Sequence, residues 1–188
     1  MALLHRASMS PTKPELIAAW LPRQPWAAAL PDLAAIGGYR IDDPGGAVGM
    51  EGILLRSADG AVVAHVPLTY RSAPLEGAQQ HLLGTSEHSV LGTRWVYDGT
   101  GDPLFLATLA DTIVAGGTGA EEYFETDGQR VPREPKVRVR GSGREAGEAG
   151  EVVVVRVVGE PIDGDAVLTG SWDGGSGVLA VLRSAGSR

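Results

Sequence analysis

The chain has no cysteine in 188 residues. That excludes disulfides, thiolate metal sites and thiol nucleophiles. Aromatic residues are scarce, 5% of the chain with two Phe, while glycine is abundant at 27. Such a chain builds its core from Ala, Val, Leu and Ile on many short elements joined by turns. No apolar run approaches the ~20 residues that span a bilayer. The apolar start of MALLHRASMSPTKPE is broken at His5 and Arg6, so it lacks the apolar stretch of a secretory signal. A soluble, cytoplasmic protein without a membrane partner is therefore expected. Cations are in the minority, 16 Lys+Arg against 23 Asp+Glu, for a net charge of −7. An acidic chain repels phosphate backbones, so nucleic acid is not an expected partner.

Catalytic signatures are missing too. Neither G-x-S-x-G nor the phosphate loop G-x-x-x-x-G-K-[ST] occurs. Gly141-Ser142-Gly143-Arg144-Glu145-Ala146 fits G-x-G-x-x-[GA], but the following EVVVVRVV forms a strand. A dinucleotide site needs a helix N-terminus there to hold the pyrophosphate, so the stretch reads as a hairpin loop. No cofactor is expected.

What remains is ordinary globular composition, 43% hydrophobic and 21% charged. Residues 2–9 read as a short strand with Leu4 and Met9 inward. Thr12-Lys13-Pro14-Glu15 is a capping box with proline just inside a helix. That helix buries Leu16, Ile17, Trp20 and Leu21 and stops at Pro22. Strands follow at 35–43, 48–57 and 61–70, the last two joined by the Asp59-Gly60 turn. Pro67 demotes the third to an edge or a bulge. Residues 78–83 read as a helical turn and 89–98 as a strand, with Leu91, Trp95 and Tyr97 on its core face. Asp102-Pro103 caps a helix with Phe105, Leu106, Leu109, Ile113 and Val114 inward, ended by Gly116-Gly117. Residues 117–135 lack periodicity and read as a linker or extended loop. Strands recur at 136–140, 151–158, 166–172 and 178–182, and the continuous run Val152–Val155 predicts burial on both faces. This order predicts an α+β fold: a curved antiparallel sheet packed with two or three helices, with additional C-terminal β-strands. Three parts result: a body at 1–116, a linker at 117–135, and a β-rich segment at 136–188 that either stands alone or extends the same sheet.

Few residues are left to carry chemistry. His65, His88, Arg94 and Asp98 form the candidate ligand or partner face. His81 and His88 stand seven residues apart beside Glu87 and Asp98, a spacing that matches no compact zinc motif, so no metal is expected. Ser86, Ser89, His88 and Asp98 hold the atoms of a nucleophile–base set without its strand–elbow–helix setting. The plainer reading gives His88 a hydrogen bond to a neighbour. Asp42-Asp43 and Glu121-Glu122 read as solvated turn acids. Trp26 and Trp172, with Trp95 and Tyr97, are candidate sugar-stacking platforms. The basic run Arg130, Arg133, Lys136, Arg138, Arg140 and Arg144 offers a contact to an anionic ligand or partner, but its plainer reading is the solvated face of an edge strand, neutralised by Glu145, Glu148 and Glu151.

LIAAWLPRQPW (16–26), VPLTYR (66–71), GTSEHSVLGTRWVYD (84–98) and DPLFLATLADTI (102–113) resemble the maltokinase N-terminal cap domain, over roughly residues 1–116. In that family the cap precedes a kinase of the aminoglycoside-phosphotransferase type, which phosphorylates maltose with ATP and Mg²⁺. The resemblance implies a curved antiparallel sheet with helices, similar to cystatin-like folds. The kinase's H-x-D loop is missing: His5, His65, His81 and His88 are followed two residues on by Ala7, Pro67, Leu83 and Val90. The resemblance therefore implies a cap without its kinase. It leads to a non-catalytic accessory domain, tied to maltose, trehalose or α-glucan metabolism, that binds a separate sugar kinase or glucan enzyme or forms a homo-oligomer. A small carbohydrate-binding module is the alternative, and a metal-dependent or hydrolytic enzyme using His88 and Asp98 the third.

Overall fold

The computed structural model describes residues 2–4, 8–126, 129–144 and 150–184. His5 and Arg6 in the expected first strand, Glu145 and Ala146 of the glycine motif, and Glu148 lie outside the described residues.

The elements run β1 (Ala2–Leu4), β2 (Met9–Ser10), α1 (Lys13–Trp20), β3 (Leu33–Ile41), β4 (Gly49–Ser57), β5 (Val63–Arg71), β6 (Leu82–His88), β7 (Gly92–Asp98), α2 (Pro103–Val114), β8 (Glu122–Thr126), β9 (Gln129–Arg133), β10 (Val137–Gly141), β11 (Gly150–Val154), β12 (Ala166–Trp172) and β13 (Gly175–Ser184). The architecture is α+β, with a curled, half-barrel antiparallel sheet and two helices. That sheet has the order β2-β6-β7-β5-β4-β3. A second sheet is ordered β10-β12-β13-β11, and a third β1-β8-β9.

Local chemistry sets both helices. Thr12 accepts from the Glu15 amide at 3.4 Å while Glu15 accepts from the Thr12 amide at 2.7 Å, the expected capping box. Leu16, Ile17 and Trp20 are buried on α1. They pack against Ala64, Val66, Leu68 and Tyr70 of β5 and Val96 of β7. Asp102 caps α2 through the Leu104 amide at 3.1 Å. It also takes a two-point ion pair from Arg71, at 2.8 and 2.7 Å. Phe105, Leu109 and Ile113 are fully buried on α2. Their cluster joins Tyr39, Met50 and Leu54 of the curled sheet to Val137, Leu168, Leu179 and Leu182 of the second. Burying a side chain of this size contributes about 1.5–3 kcal/mol, so this shared core holds the two sheets together.

Backbone pairing joins them as well. The Val155 amide donates to Leu179, the His65 amide to Arg156 (2.8 Å) and the Val158 amide to Val63 (2.8 Å). Residues 155–158 thus leave the second sheet and cover the edge of β5 that β7 does not reach. This explains Pro67. Its strand is internal, between β4 and β7, and not the expected edge. β7 pairs with β5 only from Leu68 to Arg71, and residues 156–158 bond at 63 and 65. The missing N–H of Pro67 falls in the gap between two partner segments, where no ladder bond is lost.

Other expectations need correction. Gln79–His81 is a single 3-10 turn, and Leu82–His88 is a strand. Its hairpin partner begins only at Gly92, so Leu91, expected in the core, is 45% exposed. Trp95 is only half-buried, while Tyr97 is buried. Glu122–Thr126 and Gln129–Arg133, expected within a linker, pair as the antiparallel strands β8 and β9, with β1 parallel to β8. Val152–Val154 is half-buried because β11 is an edge strand. β10 is also an edge, with Val137 and Val139 buried and Arg138 and Arg140 exposed, as expected.

Candidate functional site

The curl of the first sheet leaves a cleft of about 1280 Å³ between α1, β3, β4 and the β8–β9 pair. Glu51 lies in its wall at 5% exposure. β4 holds it opposite Arg40 of β3. Lys13, in the first turn of α1, bonds both carboxylate oxygens at 2.6 and 2.9 Å, and Arg40 approaches at 3.5 Å. The Tyr70 hydroxyl donates to Oε1 of the same carboxylate, and the Lys13 ammonium stands 5.2 Å over the Tyr70 ring. From β8, Glu122 is buried and paired with Arg133 of β9 at 3.4 Å.

The two carboxylates shift in opposite directions. Burial works against ionised Glu51, but the charges of Lys13 and Arg40 and the bonds from Lys13 and Tyr70 outweigh it and hold the acid below its usual range. Burial also raises Glu122, and Arg133 and Arg40 do not fully offset it, with Glu51 adding repulsion. Burial and the neighbouring Glu51 push the Tyr70 phenol up. The five charges act as one set, since Glu122 feels Lys13, Arg40 and Glu51 as well as Arg133. Below this set the wall is apolar, made by Ile17, Leu21, Leu33, Ile36, Ile53 and Leu55.

The four expected face residues separate into two pairs. His65 is fully buried, its Nδ1 3.3 Å from the Val155 carbonyl and its Nε2 3.0 Å from the Tyr39 hydroxyl. A carbonyl only accepts, so Nδ1 carries the proton and Nε2 accepts from Tyr39. Burial and the charge of Arg156 lower His65 to about 4. Asp98 is buried nearby, paired with Arg156 and accepting from Thr100 at 2.8 Å. These two residues secure the junction between sheets. His88 and Arg94, by contrast, line the cleft. Nδ1 of His88 accepts from the amides of Val90 and Leu91 and caps the β6–β7 turn. Arg94 donates to the Leu91 carbonyl, while its buried Nε has no partner among the described residues. His81 packs onto Gly101, where any Cβ would fall 2.0 Å from its ring. No three His, Asp or Glu side chains are placed to hold a metal among the described residues.

Neither tryptophan platform lines the cleft. Arg156 covers the Trp26 ring at 5.1 Å, with Trp20 tilted against it at 6.1 Å. Trp172 packs over Gly175 in the β12–β13 turn. Among the described residues no helix is long and apolar enough to cross a membrane.

Lys13, Arg40, Glu51 and Tyr70 escaped the sequence reading as site residues; Arg133 entered it only within the basic run, and Glu122, expected as a solvated turn acid, is buried on β8. One signal was present: Glu51 is the single charge in VGMEGILL, and a charge inside an apolar strand needs buried partners. Nothing local names those partners, which lie 38 residues away at Lys13 and 19 at Tyr70.

Residues 20–102 match the family model of the maltokinase N-terminal cap domain. No curated protein matches the chain. The matched span runs from the last residue of α1 to the cap of α2 and takes in β3 to β7, five of the six strands of the curled sheet. Over residues 20–102, somewhat under half of its length, the chain is similar to the maltokinase N-terminal cap domain.

Proposed function

We propose that this chain is a non-catalytic accessory domain that works by binding, with the cleft between α1, β3–β4 and β8–β9 as its contact surface. The observation that carries the reading is the bonding inside the cleft. Lys13, Arg40, Tyr70 and Arg133 are engaged with Glu51 and Glu122, and no serine or threonine paired with a base lines the cleft among the described residues. Such a wall recognises a surface or a ligand and does no bond chemistry of its own. The cap family supports a place in maltose, trehalose or α-glucan metabolism, in the cytoplasm, with the curled sheet as a cystatin-like cap. The partner is a separate sugar kinase or glucan enzyme, or a second copy of the chain. Val90 and Leu91, exposed at the β6–β7 tip beside the cleft, supply apolar contact area.

The test is binding of purified maltose kinase and glucan-processing enzymes to the immobilised chain, with light scattering to read self-association. Saturable binding that a Leu91→Asp variant weakens is expected. No partner and no self-association up to high micromolar concentration overturns the protein-partner reading. A carbohydrate-binding module is the second reading, supported by the carboxylates and cations beside an apolar wall in one cleft. Calorimetry with maltose, trehalose and longer glucans decides it, and the absence of heat removes it.

A further inference from the structure

We infer that the cleft binds an amphipathic anion, its charged head against Lys13, Arg40 and Arg133 and its apolar body along the α1–β4 wall. This rests on the reading of the cleft as a binding surface. Charge is the first observation. The chain as a whole is −7, yet five cationic side chains line the cleft against four carboxylates. One of the four, Asp43, keeps its charge but has its oxygens engaged by its own turn, accepting from the amides of Gly45, Ala47 and Val48, each at 2.8 Å. At the inner wall three cations share two carboxylates, and a cationic surplus in a partly desolvated site favours an anion. The second observation is the Nε–H of Arg94, a cleft-lining side chain, which is buried without a partner among the described residues. The third is shape. Ile17, Leu21, Ile36, Ile53 and Leu55 continue the wall away from the charges. The cleft's 1280 Å³ exceeds the roughly 300–1,000 Å³ of ordinary ligand pockets, room for a head group and a chain. Guanidinium groups take carboxylate and phosphate alike, so either head group fits.

The experiment is an amide NMR titration of the full chain with octanoate, octyl phosphate and octyl glucoside, all below their micellar concentrations. Saturable shifts at α1, β3 and β4 with the anions, and at least tenfold weaker ones with the glucoside, are expected. A response to one anion alone identifies the head group. Equal binding of the glucoside overturns the anion while leaving the cleft as a binding site. Shifts confined to Val90, Leu91 and Val131, or no shifts at all, overturn both. Arg133 is half-exposed, so Arg133→Gln should weaken octanoate roughly 3- to 10-fold, the range for one charge-assisted contact near solvent. If that variant loses the β8–β9 amide pattern, Lys136→Gln at the rim takes its place. Unchanged affinity in a folded variant counts against the head-group assignment.

Discussion

His65 allows a quantitative test of how the two sheets are joined. It is neutral and fully buried, donating from Nδ1 to Val155 and accepting at Nε2 from Tyr39. Protonation removes that acceptor and places a charge near Arg156. Burial first and Arg156 second lower its pKa from 6.5 to about 4 in the folded protein. The unfolded chain keeps the ordinary value and therefore binds the proton first as pH falls. Above pH 7 this residue leaves stability unchanged, and between 6.5 and 4 stability falls. One pKa unit is about 1.4 kcal/mol, so the whole window costs about 3 kcal/mol, roughly 2 of it by pH 5. Against a total stability of about 5–15 kcal/mol, that is a large share.

Urea unfolding followed by tryptophan fluorescence at pH 7, 6 and 5 measures it, wild type beside His65→Gln. Glutamine keeps one donor and one acceptor but does not titrate. Glu51, Asp43 and Asp102 are held below their ordinary values. Their stabilisation is present above the unfolded carboxylate values and lost as pH falls through the lower folded ones, so it does not enter between pH 7 and 5. Other histidines contribute equally to both proteins and cancel. The wild type should lose about 2 kcal/mol more than the variant from pH 7 to 5. Parallel losses would refute the assignment of His65 as a neutral clasp.

Gly52→Ala should destabilise by about 2–4 kcal/mol, since overpacking and a lost buried hydrogen bond add. The new Cβ would fall 2.3 Å from the Tyr39 ring that bonds His65, and the urea midpoint reads the loss. Asp102→Ala removes both the α2 cap and the Arg71 pair, for about 2–4 kcal/mol in the same assay. Glu51→Gln leaves Lys13 and Arg40 uncompensated in the cleft wall and should cost about 3 kcal/mol. Restoring the original charge balance with Lys13→Met in the same chain should recover part of it, and strict additivity of the two would argue against the ion pair.

The features legible in the sequence are those whose causes are local. Thr12 with Glu15, Asp102 with Pro103 and Asp59 with Gly60 each act within four residues, and each formed where the spacing placed it. The β8–β9 pair was illegible for the opposite reason. Glu122 and Arg133 sit opposite each other and Tyr123 faces Pro132, so charge pairing takes the place of apolar alternation, and β1 joins from the far end of the chain. The site failed in the same way. His65, His88, Arg94 and Asp98 look like one cluster on paper because three of them fall within eleven residues. The strand carries Asp98 to the sheet junction and leaves Arg94 at the cleft. Pro67 misled because a proline rule about edges is a rule about one missing donor, and an internal strand with a break between partners satisfies it equally.

The cleft also separates what the family match carries from what this chain adds. Arg40, Glu51, Tyr70 and Arg94 lie within residues 20–102, and Lys13, Glu122, Arg133 and Lys136 lie outside. The matched strands alone place a buried glutamate beside one arginine and a tyrosine, a charge with too little compensation to stay dry. The lysine that neutralises it comes from the first turn of α1. The opposing acid and its arginine come from β8 and β9. The dependence runs the other way in the core, where Tyr39, Met50 and Leu54 of the matched strands are covered by Val137, Leu168, Leu179 and Leu182 from beyond them. A cap sheet with one face closed by further strands has only its other openings left for binding. In this chain the cleft beside α1 is an opening whose charge is set from both sides of the match.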